Sequence, residues 1–263
     1  MNEAEVVQLQ MEEPKATVGI YELPRGYLDA DGNLHTEVVV HEITGYEEDM
    51  LAAPKVSSQK KMNELLTRCV DRIGTITDKD KLTEVVANLG VGDRVFLLFA
   101  IRRTSLGEVY PFEEVCPNCG EKKLFQLDLS EMEVKPGESP SQRVFDVTLP
   151  SKKTLRFHPM TGMDEAKMSK IAAKNADTLS LAMAMRIDML NGKPPALNDV
   201  KALGLRDRNA FRTAFERAEG GVDTTMEVEC PGCEHVFERD VSVGDVGFFF
   251  PSRLESSKTK SST

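Results

Sequence analysis

The chain has 263 residues, 40% of them hydrophobic and 29% charged. That balance excludes a fibrous repeat, a disordered polymer and a disulfide-dense miniature scaffold, and the length suffices for a sizeable core. A formal net charge of −10 repels phosphate polyanions, so no nucleic acid is expected among its partners.

The longest apolar run, Val95 to Ile101, is under half the length of a bilayer-crossing helix and ends at Arg102 and Arg103, so no membrane span is expected. The acidic amino terminus lacks the pattern of a signal peptide, which points to a cytoplasmic origin. Residues 1–16 are polar and acidic and read as an arm that needs a partner to order it. Asp31-Gly32 lies between Tyr27-Leu28 and the β-branched run Val38, Val39, Val40, which predicts a hairpin; arm and hairpin make a first segment, 1–45. A calcium loop starting at Asp29 is excluded, because it needs Gly at the sixth place and Glu at the twelfth, where this chain has Leu34 and Val40.

Residues 46–108 read as a helical subdomain. Glu47, Glu48 and Asp49 suit a helix start, and Met62, Leu65, Leu66, Cys69, Val70 and Ile73 recur at steps of three and four, predicting a helix over 60–73 stopped by Gly74. Cys69 belongs to that stripe as a small buried hydrophobe. Thr77 or Asp78 caps a short helix through Val86, and Asp93 is expected to cap another carrying Val95, Leu97, Leu98 and Ile101.

Strand patterns over 109–130 flank Cys116-Pro117-Asn118-Cys119. Residues 131–222 read as an inserted unit, with a linker over 131–142 and an antiparallel pair formed by Val144–Leu149 and Leu155–Phe157. One long helix or two consecutive ones then run from Thr161 to Leu190, with Thr161 and Asp177 as caps and Met163, Met168, Met183, Met185 and Met189 as core. Helices over 198–203 and 207–218 complete the insertion. Residues 223–254 repeat the earlier pattern, with strands at Thr225–Glu229 and His235–Val241 around Cys230-Pro231-Gly232-Cys233 and a closing strand at Phe248–Phe250; 255–263 is a polar, disordered tail.

Five cysteines, an odd number, argue for metal ligation over a disulfide framework. A Cys-Pro-x-Cys knuckle between strands puts two thiolates on one side of a tight turn, half of a tetrahedron. Cys116, Cys119, Cys230 and Cys233 are therefore the expected ligands of one structural zinc, although about 110 residues separate the pairs. A redox dithiol would open a helix, whereas strand pattern follows both pairs; iron is the lesser rival to zinc. His235, two residues beyond Cys233, is expected at the surface. The fold class is α+β: helical subdomains around a split four-cysteine zinc-ribbon-like β module made by two distant hairpins, plus the amino-terminal hairpin.

No phosphate loop, dinucleotide glycine pattern, GxSxG elbow or HExxH motif is present, and His35, His41, His158 and His235 are scattered singly. A closed set of four thiolates has no open position to activate water, so the expected ion is a staple and the protein is not expected to be an enzyme.

The ordered runs Glu42-Ile43-Thr44-Gly45-Tyr46-Glu47-Glu48, Leu65-Leu66-Thr67-Arg68-Cys69-Val70, Gly92-Asp93-Arg94-Val95-Phe96-Leu97-Leu98 and Arg102-Arg103-Thr104-Ser105-Leu106-Gly107, followed by the first knuckle, resemble the baseplate hub and tail assembly protein family of T4-like and other contractile-tailed bacteriophages. The resemblance covers residues 36–130 best, and the second knuckle with the terminal Phe run more loosely. It implies a non-enzymatic virion protein of the tail baseplate, assembled in the host bacterial cytoplasm. Its implied partners are other baseplate or hub proteins, with the tail tube or tape-measure protein nearby, and it admits a homo-oligomer within the baseplate. Two alternatives stand beside it: a tail assembly chaperone for tape-measure or hub proteins that leaves before the virion matures, and a zinc-ribbon nucleic-acid binder or regulator, which the charge disfavours. The arm and Phe248–Phe250 are the candidate contact elements.

Overall fold

A computed structural model of the chain describes residues 17–172 and 178–250. The arm over 1–16, the cap at Asp177 and the tail over 255–263 lie outside the described residues.

Strands β1 (Val18–Leu28) and β2 (Leu34–His41) form the expected hairpin, with Tyr27 opposite His35 and Leu28 opposite Leu34. The Asp29 carboxylate fastens its turn by accepting from the Asp31 and Asn33 amides at 2.9 and 2.8 Å. In α1 (Gly45–Ala52), Glu47 reaches back to the Thr44 amide at 3.1 Å. Helix α2 (Ser58–Cys69) ends four residues earlier than the periodicity predicts, because Val70–Ile73 forms β3, the outer strand beside β2. Val70 and Ile73 pair with Val40 and Val38, and a bulge in the ladder lets both face inward at a three-residue step that otherwise signals a helix. Cys69 is fully buried, which pushes its thiol up to about 12.

Asp78 caps α3 (Lys79–Asn88) by accepting from the Lys81 amide at 3.0 Å. Helix α4 (Val91–Leu106) is apolar on every side from Phe96 to Ile101, as befits a helix packed all round. Its N-cap is Gly90, and Asp93, expected there, sits inside the first turn. The Asp93 carboxylate instead accepts from the Arg25 amide at 2.8 Å and the Gly26 amide at 3.2 Å, in a fully buried position. Among the described residues no helix is long and apolar enough to cross a membrane.

Next come the hairpin β4 (Val109–Val115) and β5 (Lys122–Asp128), a short β6 (Val134–Lys135), and β7 (Phe145–Thr148) with β8 (Thr154–Phe157). Helices α5 (Gly162–Ala172) and α6 (Thr178–Ala184) follow, but the predicted helix does not reach Leu190: β9 (Ile187–Leu190) adds to β8 instead. Met183 is core, whereas Met163 and Met189 are exposed, so the Met-rich face is only partly interior. Helices α7 (Leu197–Lys201) and α8 (Leu205–Glu219) lead to β10 (Gly221–Val222) and a second hairpin, β11 (Thr225–Glu229) and β12 (Val236–Asp240). Phe248 lies in a 3-10 turn (Val246–Phe248), so no closing strand forms; Phe248 is buried against Phe99, Tyr110 and Phe249.

The described residues thus make a mixed α/β molecule with two apolar clusters. One draws on Leu23 to Met132 and Val228 to Phe249, the other on Phe145 to Ala218. Between the two, β6 and β10 pair antiparallel, Lys135 opposite Gly221 and Val134 opposite Val222, so the chain leaves and re-enters the first cluster at one point. Gly92 packs against the backbone of Gly220 and Gly221 there, too close for any side chain. The Arg25 guanidinium donates to the carbonyls of Ala218 and Gln142, tying β1 to the end of α8.

Candidate metal centre

Each knuckle forms for a local reason. Pro117 and Pro231 fix the backbone after the first cysteine of each pair. The chain then folds back, so that the Gly120 amide donates to the Cys116 carbonyl at 2.9 Å and the Glu234 amide to the Cys230 carbonyl at 2.9 Å. The Cys116 amide donates to the Glu121 carbonyl at 3.0 Å and the Cys230 amide to the His235 carbonyl at 2.9 Å. Even the left-handed residue recurs at the same place, Gly120 with φ +70° and Glu234 with φ +58°. The two knuckles are backbone equivalents.

Stacked aromatic side chains bring them together. Tyr110, Phe112 and Phe125 line the first hairpin, with ring centroids 5.7 and 5.5 Å apart, and Phe125 meets Phe237 of the second hairpin edge-on at 5.6 Å. Arg239 on β12 pairs with Glu114 on β4 at 3.2 Å and lies over the Phe112 ring. At the base of the first hairpin, the fully buried Arg102 lies over Tyr110 and Phe248, which holds the end of α4 and the terminal turn against β4.

At the tips, the Sγ atoms of Cys116, Cys119, Cys230 and Cys233 all lie within 4.8 Å of one another. Cys116 is 3.7 Å from Cys233, and Cys119 is 4.0 Å from Cys230, so both close pairs run between the hairpins. A tetrahedral ion with sulfur at about 2.3 Å sets its ligands about 3.8 Å apart, so the donor set and the spacing both fit. Cys116 and Cys230 are fully buried, Cys119 is exposed and Cys233 half-buried.

The sulfurs differ in their protonation. The Asn118 amide, 3.5 Å from the Cys233 sulfur, and the His235 backbone amide pull that thiol down to about 6. At Cys119 the Glu121 backbone amide acts in the same lowering sense but is outweighed by desolvation and the three neighbouring sulfurs, which leave it at about 11. Four sulfurs this close resist collective ionisation without a cation among them.

All four cysteines singled out in the sequence meet at this point, and among the described residues they are the one group with metal-binding geometry. His235 is exposed and stacks on Phe237, outside the sulfur group. Two neighbours escaped sequence reasoning: Asn118, and Lys123, whose chain crosses the second knuckle at Gly232. The only available signal was the asymmetry between Asn and Gly in otherwise matching Cys-Pro-x-Cys motifs.

Among the described residues, a mixed α/β body carries paired hairpins that gather four thiols closely enough to hold one metal ion. A family model described as T4 bacteriophage base plate protein matches residues 32–251. The chain belongs to the T4 bacteriophage base plate protein family, a family of structural proteins of the phage tail. No curated protein and no solved structure matches it.

Proposed function

We propose that the chain is a non-enzymatic structural protein of a contractile phage tail base plate, at or beside the hub, whose two distant hairpins are held by one zinc ion on Cys116, Cys119, Cys230 and Cys233. The observation that carries the proposal is the meeting of the four sulfurs within 4.8 Å, from hairpins far apart in sequence. Family membership supports the base plate role. Sulfurs so closely gathered enclose a single ion and leave no open position for water or substrate, which suits a staple and not a catalyst. Structural zinc of this kind contributes on the order of 10 kcal/mol of binding energy coupled to folding. A metal–thiolate tie also persists in the reducing bacterial cytoplasm where tails are built, and a disulfide there would not.

The inserted unit over 131–222 is part of this reading, supported by a second core cluster drawn from Phe145 to Ala218. The partners are other base plate or hub proteins, with the tail tube or tape-measure protein as further neighbours.

Replacing all four knuckle cysteines with Ser is expected to remove one bound zinc per chain, measured by elemental analysis, and to abolish infectious tails. Normal tail yield from that variant would overturn the staple. Mass spectrometry of purified virions is expected to find the protein at stoichiometric level; its absence would make it an assembly chaperone.

A further inference from the structure

Resting on the four-thiolate reading, we propose that Asn118 and Lys123, both carried by the first hairpin, are positioning residues that hold the second hairpin's sulfurs for the ion and answer the charge of the centre.

The two knuckles share their backbone hydrogen bonds, prolines and left-handed residue, so a difference at one matching position has meaning. At the third place of Cys-Pro-x-Cys the first knuckle has Asn118 and the second Gly232. Asn118 does not bond within its own knuckle: its Nδ2 points across to the Cys233 sulfur at 3.5 Å. Gly232 provides the reverse passage. A Cβ there would stand 2.9 Å from Lys123 Cε and 3.1 Å from Lys123 Nζ, so the absence of a side chain is what lets the lysine lie across the second knuckle. Glu121, 2.5 Å from Lys123 Nζ, anchors the ammonium from the first hairpin. The adjacent Lys122 is engaged elsewhere, with Glu113 on β4.

Four thiolates around a divalent ion carry a net charge of about −2. At the knuckle tips the Asn118 amide donates to the Cys233 sulfur, and the Lys123 ammonium, held by Glu121, places a positive charge beside the second knuckle at Gly232. Both come from the first hairpin and both reach the second, Asn118 at Cys233 and Lys123 at Gly232. The centre is therefore asymmetric: the first hairpin brings its own two ligands and also the groups that orient the other two. Outer groups of this kind change metal affinity by about 10–100-fold when removed.

Competition with a chromophoric chelator measures the zinc affinity of the full chain. Asn118→Ala and Lys123→Met are each expected to weaken zinc by about 10–100-fold, while Lys123→Arg, which keeps the charge, restores most of the affinity. The visible bands of the cobalt-loaded protein should shift in Asn118→Ala, and the melting temperature of the metal-free protein should stay at the wild-type value in both weakened variants. Affinities within about twofold of wild type, or losses matched by an equal fall in metal-free stability, would overturn the proposal. If wild-type protein binds no stoichiometric metal, the four-thiolate reading and this inference fall together. If it binds metal and the variants bind equally well, only the inference falls.

Discussion

Glu234 adopts φ +58°, a left-handed conformation that its counterpart in the first knuckle, Gly120, adopts at φ +70° without steric cost. The sequence repeats Cys, Pro and Cys but not this glycine, so the second knuckle folds against a local preference. Glu234→Gly is therefore expected to stabilise the protein by about 1 kcal/mol, read as a rise in melting temperature with zinc content unchanged; a fall in melting temperature would show that the Glu234 side chain contributes more than its backbone costs. The gathering of the four cysteines was legible in the sequence because thiols in duplicated short spacing have few uses. Asn118 and Lys123 were not, since neither residue type is distinctive until the fold lays one hairpin across the other.

The same contrast holds for the elements. Hairpins announced by Asp31-Gly32 and by the two knuckles were legible, because turn chemistry is local. Strands β3 and β9 were not: Val70 with Ile73, and Ile187 with Leu190, sit at the three-residue step of a helix face, and irregular ladders with β2 and β8 decide the outcome from a distance. Asp93 shows a related failure. Its place near a helix start suggested a cap, but the amides it satisfies belong to β1. Helix α4 also contains Gly92, which a propensity argument would replace with Ala for a gain of about 1 kcal/mol. The structure reverses the sign, because a Cβ there would stand 2.4 Å from the Gly220 carbonyl oxygen, in backbone that has no flexible end to move. Gly92→Ala is expected to cost about 1–3 kcal/mol net, visible as a lower denaturant midpoint. An unchanged midpoint would mean that the α4 and α8 ends separate readily.

Across the whole molecule, the two apolar clusters meet along a seam of charge, with Arg25 and Asp93 buried and Glu165, Arg186 and Glu219 half-buried. Burial pushes the Glu219 carboxyl up to about 8, opposed by Arg186 and Arg25 and reinforced by Glu165 and Asp93, and its Oε1 has no hydrogen-bond partner. Burial likewise raises Asp93 to about 6, against the pull of the Arg25 and Gly26 amides. In the folded chain Glu219 keeps its proton where the unfolded chain, near the ordinary value of 4.5, has lost it, so its contribution makes stability fall as pH rises between 4.5 and about 8. Asp93 acts in the same direction between 3.8 and about 6. Glu219→Gln, neutral throughout, is expected to flatten that slope and to gain about 2 kcal/mol at alkaline pH, measured by chemical unfolding at acidic and alkaline pH. A slope equal to that of wild type would show that Glu219 ionises freely.

The brief ladder between β6 and β10 has its own outcome at this scale. By fastening Lys135 beside Gly221, it turns the long excursion between them into a loop tied off at the neck. Beyond that knot the excursion is still held, by the Val91 amide on the Met160 carbonyl and by Arg94 on Glu165, so changes of length that leave the spacing of the cysteine hairpins intact belong in its exposed turns, such as Ser151-Lys152 and Asn191-Gly192.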